Sequence, residues 1–163
     1  MCHKTDSKLA SNIEKLNLEQ ILINTYPGSC LGYAALVGSE QQFMESLEKS
    51  IDYCRALKCK RLHIMSGRVN DDIQGNVQVL KDNLKKALPM LQKAGIIGLI
   101  EPINPYWVPN YFLNDFDLAE DIIKELNHPH LKMMLDIDKI ISSAPFSNDF
   151  HMVLAFSYKR DTL

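Results

Sequence analysis

Runs rich in apolar residues alternate with longer amphipathic stretches along most of the chain. Four runs are short enough for buried strands, and they cover residues 19–24, 60–65, 96–100 and 131–135. Between them, apolar residues recur at helical spacing over 40–57, 75–93 and 115–126, and residues 1–16 predict one more helix ahead of the first strand. The order βαβαβαβ with short turns is typical of parallel strands that are buried beneath helices.

Turn and capping residues mark the ends of these elements. Asp115 is a suitable N-cap for the third helical stretch, and Gly95 suits the end of the second. Pro89 lies inside the second stretch, where we expect a kink or a break. A doubly wound sheet and a (β/α) barrel both fit the pattern. The chain has neither a GxGxxG turn nor a P-loop, which would favour the doubly wound sheet.

Composition and charge argue against several classes of protein but do not indicate a particular function. The 163 residues are 46% hydrophobic and 23% charged, with a formal net charge of -2 and no basic patch, so we expect no nucleic-acid partner. No apolar run approaches the ~20 residues that span a bilayer, and the polar N-terminus lacks a signal core, so we expect a cytoplasmic protein without a membrane partner. Cys2, Cys30, Cys54 and Cys59 lack zinc-site spacing and are expected to be reduced thiols, with Cys54 buried on a helix face.

Carboxylates directly follow the last two predicted strands, as Glu101 and Asp136. Because ligands of parallel α/β folds bind beyond the carboxyl ends of the strands, we expect both side chains at the rim of one pocket. Carboxylate oxygens suit Mg²⁺ or Mn²⁺, and one of the two groups is also placed to move a proton. A helix cap or a loop salt bridge is the alternative role for each.

Other polar side chains stand near the same predicted edge. His63 shares a strand face with Met65, and either reaches substrate from inside a barrel or is a hydrogen-bonded core histidine. Arg68 either binds a substrate carboxylate or is a solvated loop residue. Asn24 and Asn104 either donate amide hydrogen bonds to substrate or build turns. The aromatic residues Tyr106, Trp107 and Tyr111 either wall off a small ligand or pack their loop down.

Four strings in a fixed order carry a family resemblance. They are Asn24-Thr-Tyr-Pro-Gly28, Arg61-Leu-His-Ile-Met-Ser-Gly-Arg-Val69, Leu99-Ile-Glu-Pro-Ile-Asn104 and Met134-Leu-Asp-Ile137. Together they resemble the hydroxypyruvate isomerase family of the xylose isomerase-like barrel superfamily. The resemblance covers about residues 16–137, and residues 138–163 depart from it.

The resemblance implies a (β/α)₈ barrel that interconverts hydroxypyruvate and 2-hydroxy-3-oxopropanoate with a divalent metal ion. It implies that Glu101 is the proton donor and acceptor at the metal site and that Asp136 is a metal ligand. It also implies that His63 lies near the substrate. A related ketose epimerase and a metal-dependent endonuclease are further alternatives on the same barrel. The endonuclease would need several histidine ligands, and His63 alone does not supply them.

The resemblance and the length of the chain together imply an α/β fold that is part of such a barrel. A complete one needs about 250 residues and eight strands, whereas residues 1–163 predict a single incomplete domain with about strands 2–5 and flanking helices. The family's remaining metal ligand and second catalytic glutamate have no counterpart here, so we expect little or no isomerase activity from this chain alone. The alternative is a non-catalytic barrel remnant or isoform that acts through self-association or by binding a partner at its open barrel edges.

Overall fold

Four parallel strands and four helices alternate in the structure, a computed structural model that describes residues 4–69 and 73–135. The elements in chain order are α1 Lys4–Lys15, β1 Ile23–Asn24, α2 Glu40–Ala56, β2 Arg61–His63, α3 Ile73–Ala94, β3 Ile97–Ile100, α4 Phe116–Leu126 and β4 Leu131–Met133. The sheet order is β1-β2-β3-β4, and every neighbouring pair is parallel. The predicted α/β fold is confirmed, and the sequential order of the strands, without the reversal of a doubly wound sheet, fits part of a (β/α) barrel.

The two faces of the sheet differ in what they touch. Leu62, Ile64 and Leu131 point outward into the core shared with the helices, whose largest buried side chains include Phe43, Leu47, Leu84, Leu91 and Ile122. The in-register residues Asn24, His63 and Leu99 occupy the opposite face, because side chains alternate along a strand. The predicted division of β2 between a His63 face and a Leu62 face is therefore confirmed.

Observed boundaries differ from the predicted ones mainly in the strands. β1 contains two residues instead of the six of the apolar run 19–24, although Thr25 N–H still donates to the His63 carbonyl at 2.8 Å. Pro89 does not break α3, which continues to Ala94, and the proline is exposed, so its missing hydrogen bond lies on the solvent side. Asp115 caps α4 as predicted, since its side chain accepts from Leu118 N–H at 3.0 Å. The tail 138–163, with its predicted strand at 151–156, lies outside the described residues.

No helix within residues 4–69 and 73–135 is long and apolar enough to cross a membrane.

The C-terminus of α2 closes in a Schellman motif. The N–H of Cys59 donates to the carbonyl of Cys54 at 2.8 Å, and the N–H of Lys58 donates to that of Arg55 at 3.3 Å. Lys58 takes the left-handed position between them, with φ +56°. Glycine is the usual residue at this position, because the left-handed conformation costs an L-residue roughly 1–2 kcal/mol.

Replacing Lys58 by glycine is expected to stabilise the fold by up to about 1 kcal/mol, because the relieved strain exceeds glycine's extra chain entropy. The ion pair of Lys58 with Glu14 spans 3.7 Å between two strongly exposed side chains, so its loss changes little. The measurement is the midpoint of urea unfolding. Lys60→Gly is the matched control and should lower the midpoint, because Lys60 does not have a positive φ. An unchanged or lowered midpoint for Lys58→Gly would contradict the argument.

Candidate active site

A buried carboxylate and a buried imidazole face each other at the carboxyl ends of two neighbouring strands. Glu101 directly follows β3, His63 ends β2, and their side chains are only 5% and 3% exposed. The distance from His63 Nε2 to Glu101 Oε2 is 3.8 Å. The register explains the pairing, because His63 lies opposite Leu99, two residues before Glu101 on the same face. Buried ionisable pairs at strand ends are typical of functional sites.

Asn24 fixes the orientation of this imidazole. It lies opposite His63 in the β1–β2 register, and its Oδ1 is 3.1 Å from His63 Nδ1. An amide oxygen only accepts, so Nδ1 carries the proton of this contact and Nε2 is the ring nitrogen on the Glu101 side. A second partner that sets the tautomer in this way is a recurrent arrangement for working histidines.

The loops that follow β1, β2 and β3 are tied together around Ser66. Ser66 N–H donates to the hydroxyl oxygen of Tyr111 at 2.9 Å, and Ser66 Oγ accepts from Leu113 N–H at 3.2 Å. The Ser66 carbonyl accepts from Ala35 N–H at 2.8 Å. Gly32 lies so close to the chain after β2 that a Cβ there would be 2.2 Å from the Met65 carbonyl oxygen. These contacts make one rigid platform on the side of the sheet where Glu101 and His63 stand.

Arg68 and Asn104 take different positions in this platform. Arg68 is exposed, and its main chain pairs with that of Tyr111 and donates to the Cys30 carbonyl at 2.7 Å. Asn104 is half-buried, and its Oδ1 accepts from Tyr106 N–H at 2.9 Å. The structure therefore shows the turn-building role of Asn104, while its role toward a substrate stays a prediction, as does that of Arg68.

The predicted metal site is not complete within the part of the chain that the structure describes. Asp136 lies outside it, so the predicted closeness of Asp136 to Glu101 stays a prediction. The register of β3 with β4 places Ile100 beside Met133, and Met134 N–H donates to the Ile100 carbonyl at 2.9 Å. Residues 4–69 and 73–135 contain no group of three or more His, Cys, Asp or Glu side chains that could hold a metal ion. The described residues alone therefore do not form a metal cage.

Sequence reasoning missed the buried polar residues that build the platform. Thr25 is buried and accepts from Met65 N–H at 3.0 Å through Oγ1, and Ser66 is equally buried. Of the three loop aromatics, Tyr111 is buried and packs the loop down, whereas Tyr106 and Trp107 are 92% and 67% exposed. The only available signal was the position of Thr25 and Ser66 just after strands.

Comparison with known proteins identifies the family to which this fold belongs. Residues 3–153 match the model of the xylose isomerase-like TIM barrel family, and the chain belongs to this family. It is 40% identical over 147 residues to a Danio rerio protein named "Putative hydroxypyruvate isomerase", covering 83% of this chain and 53% of that protein. It is 30% identical over 131 residues to hydroxypyruvate isomerase of Escherichia coli, covering 79% of this chain and 51% of that enzyme.

A solved structure shows the same fold. The crystal structure of AP endonuclease, family 2, from Brucella melitensis has a TM-score of 0.78 and 31% identity, covering 81% of this chain and 53% of that one. The chain thus spans about half the length of the curated relatives it matches.

Tyr111→Phe is expected to lower the free energy of unfolding by about 1–3 kcal/mol, because the buried N–H of Ser66 loses the hydroxyl oxygen that accepts its hydrogen bond. Tyr106→Phe is the matched control in the same loop and should change the free energy of unfolding by less than ~0.5 kcal/mol, since Tyr106 is almost fully exposed. Urea unfolding of both variants measures the difference. Equal stability of the two variants would mean that the hydroxyl does not hold the platform.

Proposed function

We propose that this chain carries the proton-transfer site of a hydroxypyruvate isomerase. The substrate is a small 2-oxo or hydroxy acid, interconverted between hydroxypyruvate and 2-hydroxy-3-oxopropanoate. The observation that carries the proposal is the buried pair of Glu101 and His63 at adjoining strand ends, 3.8 Å apart. The names of the zebrafish and E. coli relatives support the choice of reaction.

The proposed step begins with Glu101 as the base. Its carboxylate removes a proton from C3 of hydroxypyruvate, and the electron pair of the C–H bond forms a C2=C3 double bond while the C2 carbonyl becomes an enediolate oxygen. Return of a proton to C2 and loss of the C3 hydroxyl proton give the aldehyde. His63, with Nδ1 held by Asn24, presents Nε2 where it is able to exchange protons with the substrate oxygens. The rigid platform around Ser66 keeps the two groups aligned.

Substrate recognition is assigned to the two residues of the platform that were predicted for it. The exposed guanidinium of Arg68 suits the substrate carboxylate, because its planar fork matches two carboxylate oxygens. The amide NH₂ of Asn104 suits a substrate oxygen, since the Oδ1 of the same amide is held by Tyr106 N–H. Both assignments place the ligand beyond the carboxyl ends of β2 and β3, and the enzyme is proposed to act in the cytoplasm.

A divalent ion, Mg²⁺ or Mn²⁺, belongs to the proposal with Glu101 and Asp136 as ligands. Such an ion would stabilise the charge on an enediolate oxygen. The described residues do not complete its coordination, and the proposed proton transfer depends on Glu101 and His63.

Self-association is the competing proposal from a different class. β1 pairs with β2 alone in the described ranges, and exposed apolar residues precede it, Leu16 at 68% and Leu18 at 62%. An open strand edge beside apolar side chains favours pairing with another chain. Concentration-dependent oligomers without any proton exchange at C3 would favour this proposal.

Hydrogen–deuterium exchange at C3 tests the base directly, because exchange needs only proton removal and return. With hydroxypyruvate in D₂O, the chain is expected to deuterate C3 faster than protein-free buffer, as followed by ¹H NMR. Glu101→Gln should slow the exchange by about 10²-fold or more, because the amide is not a base. Glu45→Gln, at an exposed site of α2, is the control and should leave the rate unchanged. The same samples report net isomerisation, for which little or no activity is expected.

Two results would remove Glu101 from the proposed role. One is a Glu101→Gln variant that exchanges as fast as the unchanged chain. The other is an unchanged chain that exchanges no faster than buffer. Folding of each variant is checked by its unfolding midpoint, so that loss of exchange is separated from loss of structure.

Mn²⁺ binding tests the proposed ligands independently of turnover. Free Mn²⁺ is counted by electron paramagnetic resonance, and Glu101→Gln and Asp136→Asn are each expected to weaken binding by about 10-fold or more. Asp52→Asn, which removes an exposed carboxylate from α2, is the control. Binding that is equal in all four proteins, or absent in the unchanged chain, would contradict the metal proposal.

A further inference from the structure

Two cysteine side chains meet at the amino end of β2, which is the end opposite the candidate active site. Cys54 lies in the last turn of α2 and Cys59 stands two residues before β2. They are the two residues that the Schellman motif joins, through the 2.8 Å hydrogen bond from Cys59 N–H to the Cys54 carbonyl. The motif ordinarily brings the side chains of these two positions into contact. Both are buried, with exposures of 0% and 2%.

The main-chain hydrogen bond also sets a separation that suits a covalent link. Disulfides need Cα atoms about 4.4–6.8 Å apart, and residues joined by main-chain hydrogen bonds commonly fall in that range, for example at ~5.5 Å in antiparallel sheets. A link between the sulfurs would therefore join two residues that the main-chain hydrogen bond already holds together.

The two thiols are not equivalent. A hydrogen bond from the Cys54 thiol to the Cys59 sulfur lowers the pKa of Cys59 to about 6 and raises the pKa of Cys54, which burial raises further. The Cys59 thiol also donates a hydrogen bond to the Arg61 carbonyl oxygen at 3.2 Å, which fixes the sulfur at the entrance to the strand. Cys59 is thus the thiol of the pair that loses its proton more readily, and Cys54 is the thiol beside it.

We propose that Cys54 and Cys59 form an intramolecular disulfide when the chain meets a peroxide. The Cys59 thiolate attacks one peroxide oxygen and breaks the O–O bond, which gives a sulfenic acid at Cys59 and releases hydroxide. The Cys54 sulfur then attacks the Cys59 sulfur, the S–O bond breaks, and water leaves. Two thiols are oxidised by two electrons in total, and one hydrogen peroxide is reduced to two waters.

Cys30 provides an internal comparison. It is half-exposed and lies in the loop after β1, where its carbonyl accepts from Arg68 N–H beyond the carboxyl end of β2. Cys54 and Cys59 lie at the amino end of β2. Cys30 therefore serves as a comparison thiol in the same chain that the Schellman motif does not bring next to another cysteine.

The test is peptide mapping of the full chain after exposure to hydrogen peroxide. Remaining thiols are alkylated in denaturant, and trypsin then separates peptide 50–55, which contains Cys54, from peptide 59–60, which contains Cys59. The expected product is these two peptides joined with the loss of two hydrogens, and it should disappear when a reductant is added before alkylation. Its formation should slow as the pH falls below about 6, where Cys59 becomes protonated.

Single serine variants separate the two roles. Cys54→Ser should leave a sulfenic acid at Cys59 that dimedone traps, whereas Cys59→Ser should leave Cys54 unmodified at the same peroxide dose. Cys30→Ser should form the 54–59 link as fast as the unchanged chain. Absence of the linked peptide in the unchanged chain, or a link that joins either cysteine to Cys30 instead, would overturn the proposal.

Discussion

The parallel register of β2 with β3 is the constraint on which the candidate site depends. Because His63 pairs with Leu99, the next residue of β3 on the same face is Glu101, and the two ionisable side chains meet at 3.8 Å. A slip by one residue would turn His63 toward the helices and leave Glu101 without its neighbour. The packing of Leu62 and Ile64 against the helices prevents that slip, since both belong to the shared core. The hydrophobic core thus fixes the position of the polar pair.

A second set of hydrogen bonds fixes the loops relative to the strand ends. Thr25 and Ser66 use their hydroxyl oxygens to accept main-chain N–H groups of a neighbouring loop, at 3.0 and 3.2 Å. Each hydrogen bond satisfies a buried polar group, which without a partner would lower the free energy of unfolding by about 1–3 kcal/mol. The loops that carry Arg68 and Asn104 are therefore anchored at their strand ends, while their tips, including Tyr106, remain exposed. The proposed proton-transfer pair of Glu101 and His63 thus stands at anchored strand ends, whereas the loop tips at the rim are exposed.

Particular residues show which features of the fold and site can be predicted from the sequence and which cannot. The alternation of Leu62, His63 and Ile64 predicts both faces of β2, because period two is a local property of a strand. Asp115 likewise predicts a helix start, because a cap acts within three residues. The hydrogen bond between Asn24 and His63 spans 39 residues, and no local pattern encodes it. Ser66 and Thr25 look like ordinary turn residues until the register brings the loops together. The relation of Asp136 to Glu101, a matter of strand register too, stays a prediction.

The two ends of β2 serve different chemistry for a structural reason. At its carboxyl end, neighbouring loops use the main-chain N–H and carbonyl groups that leave the sheet, and the side chain of His63 faces Glu101. At its amino end, the incoming helix stops in a left-handed residue, Lys58, and the Schellman bond that closes it forces Cys54 and Cys59 together. Oxidation of that pair would covalently fasten the end of α2 to the entrance of β2. It would leave the register with β3, and hence the Glu101–His63 distance, unchanged. The turn and the site are therefore separable by mutation, although one three-residue strand joins them.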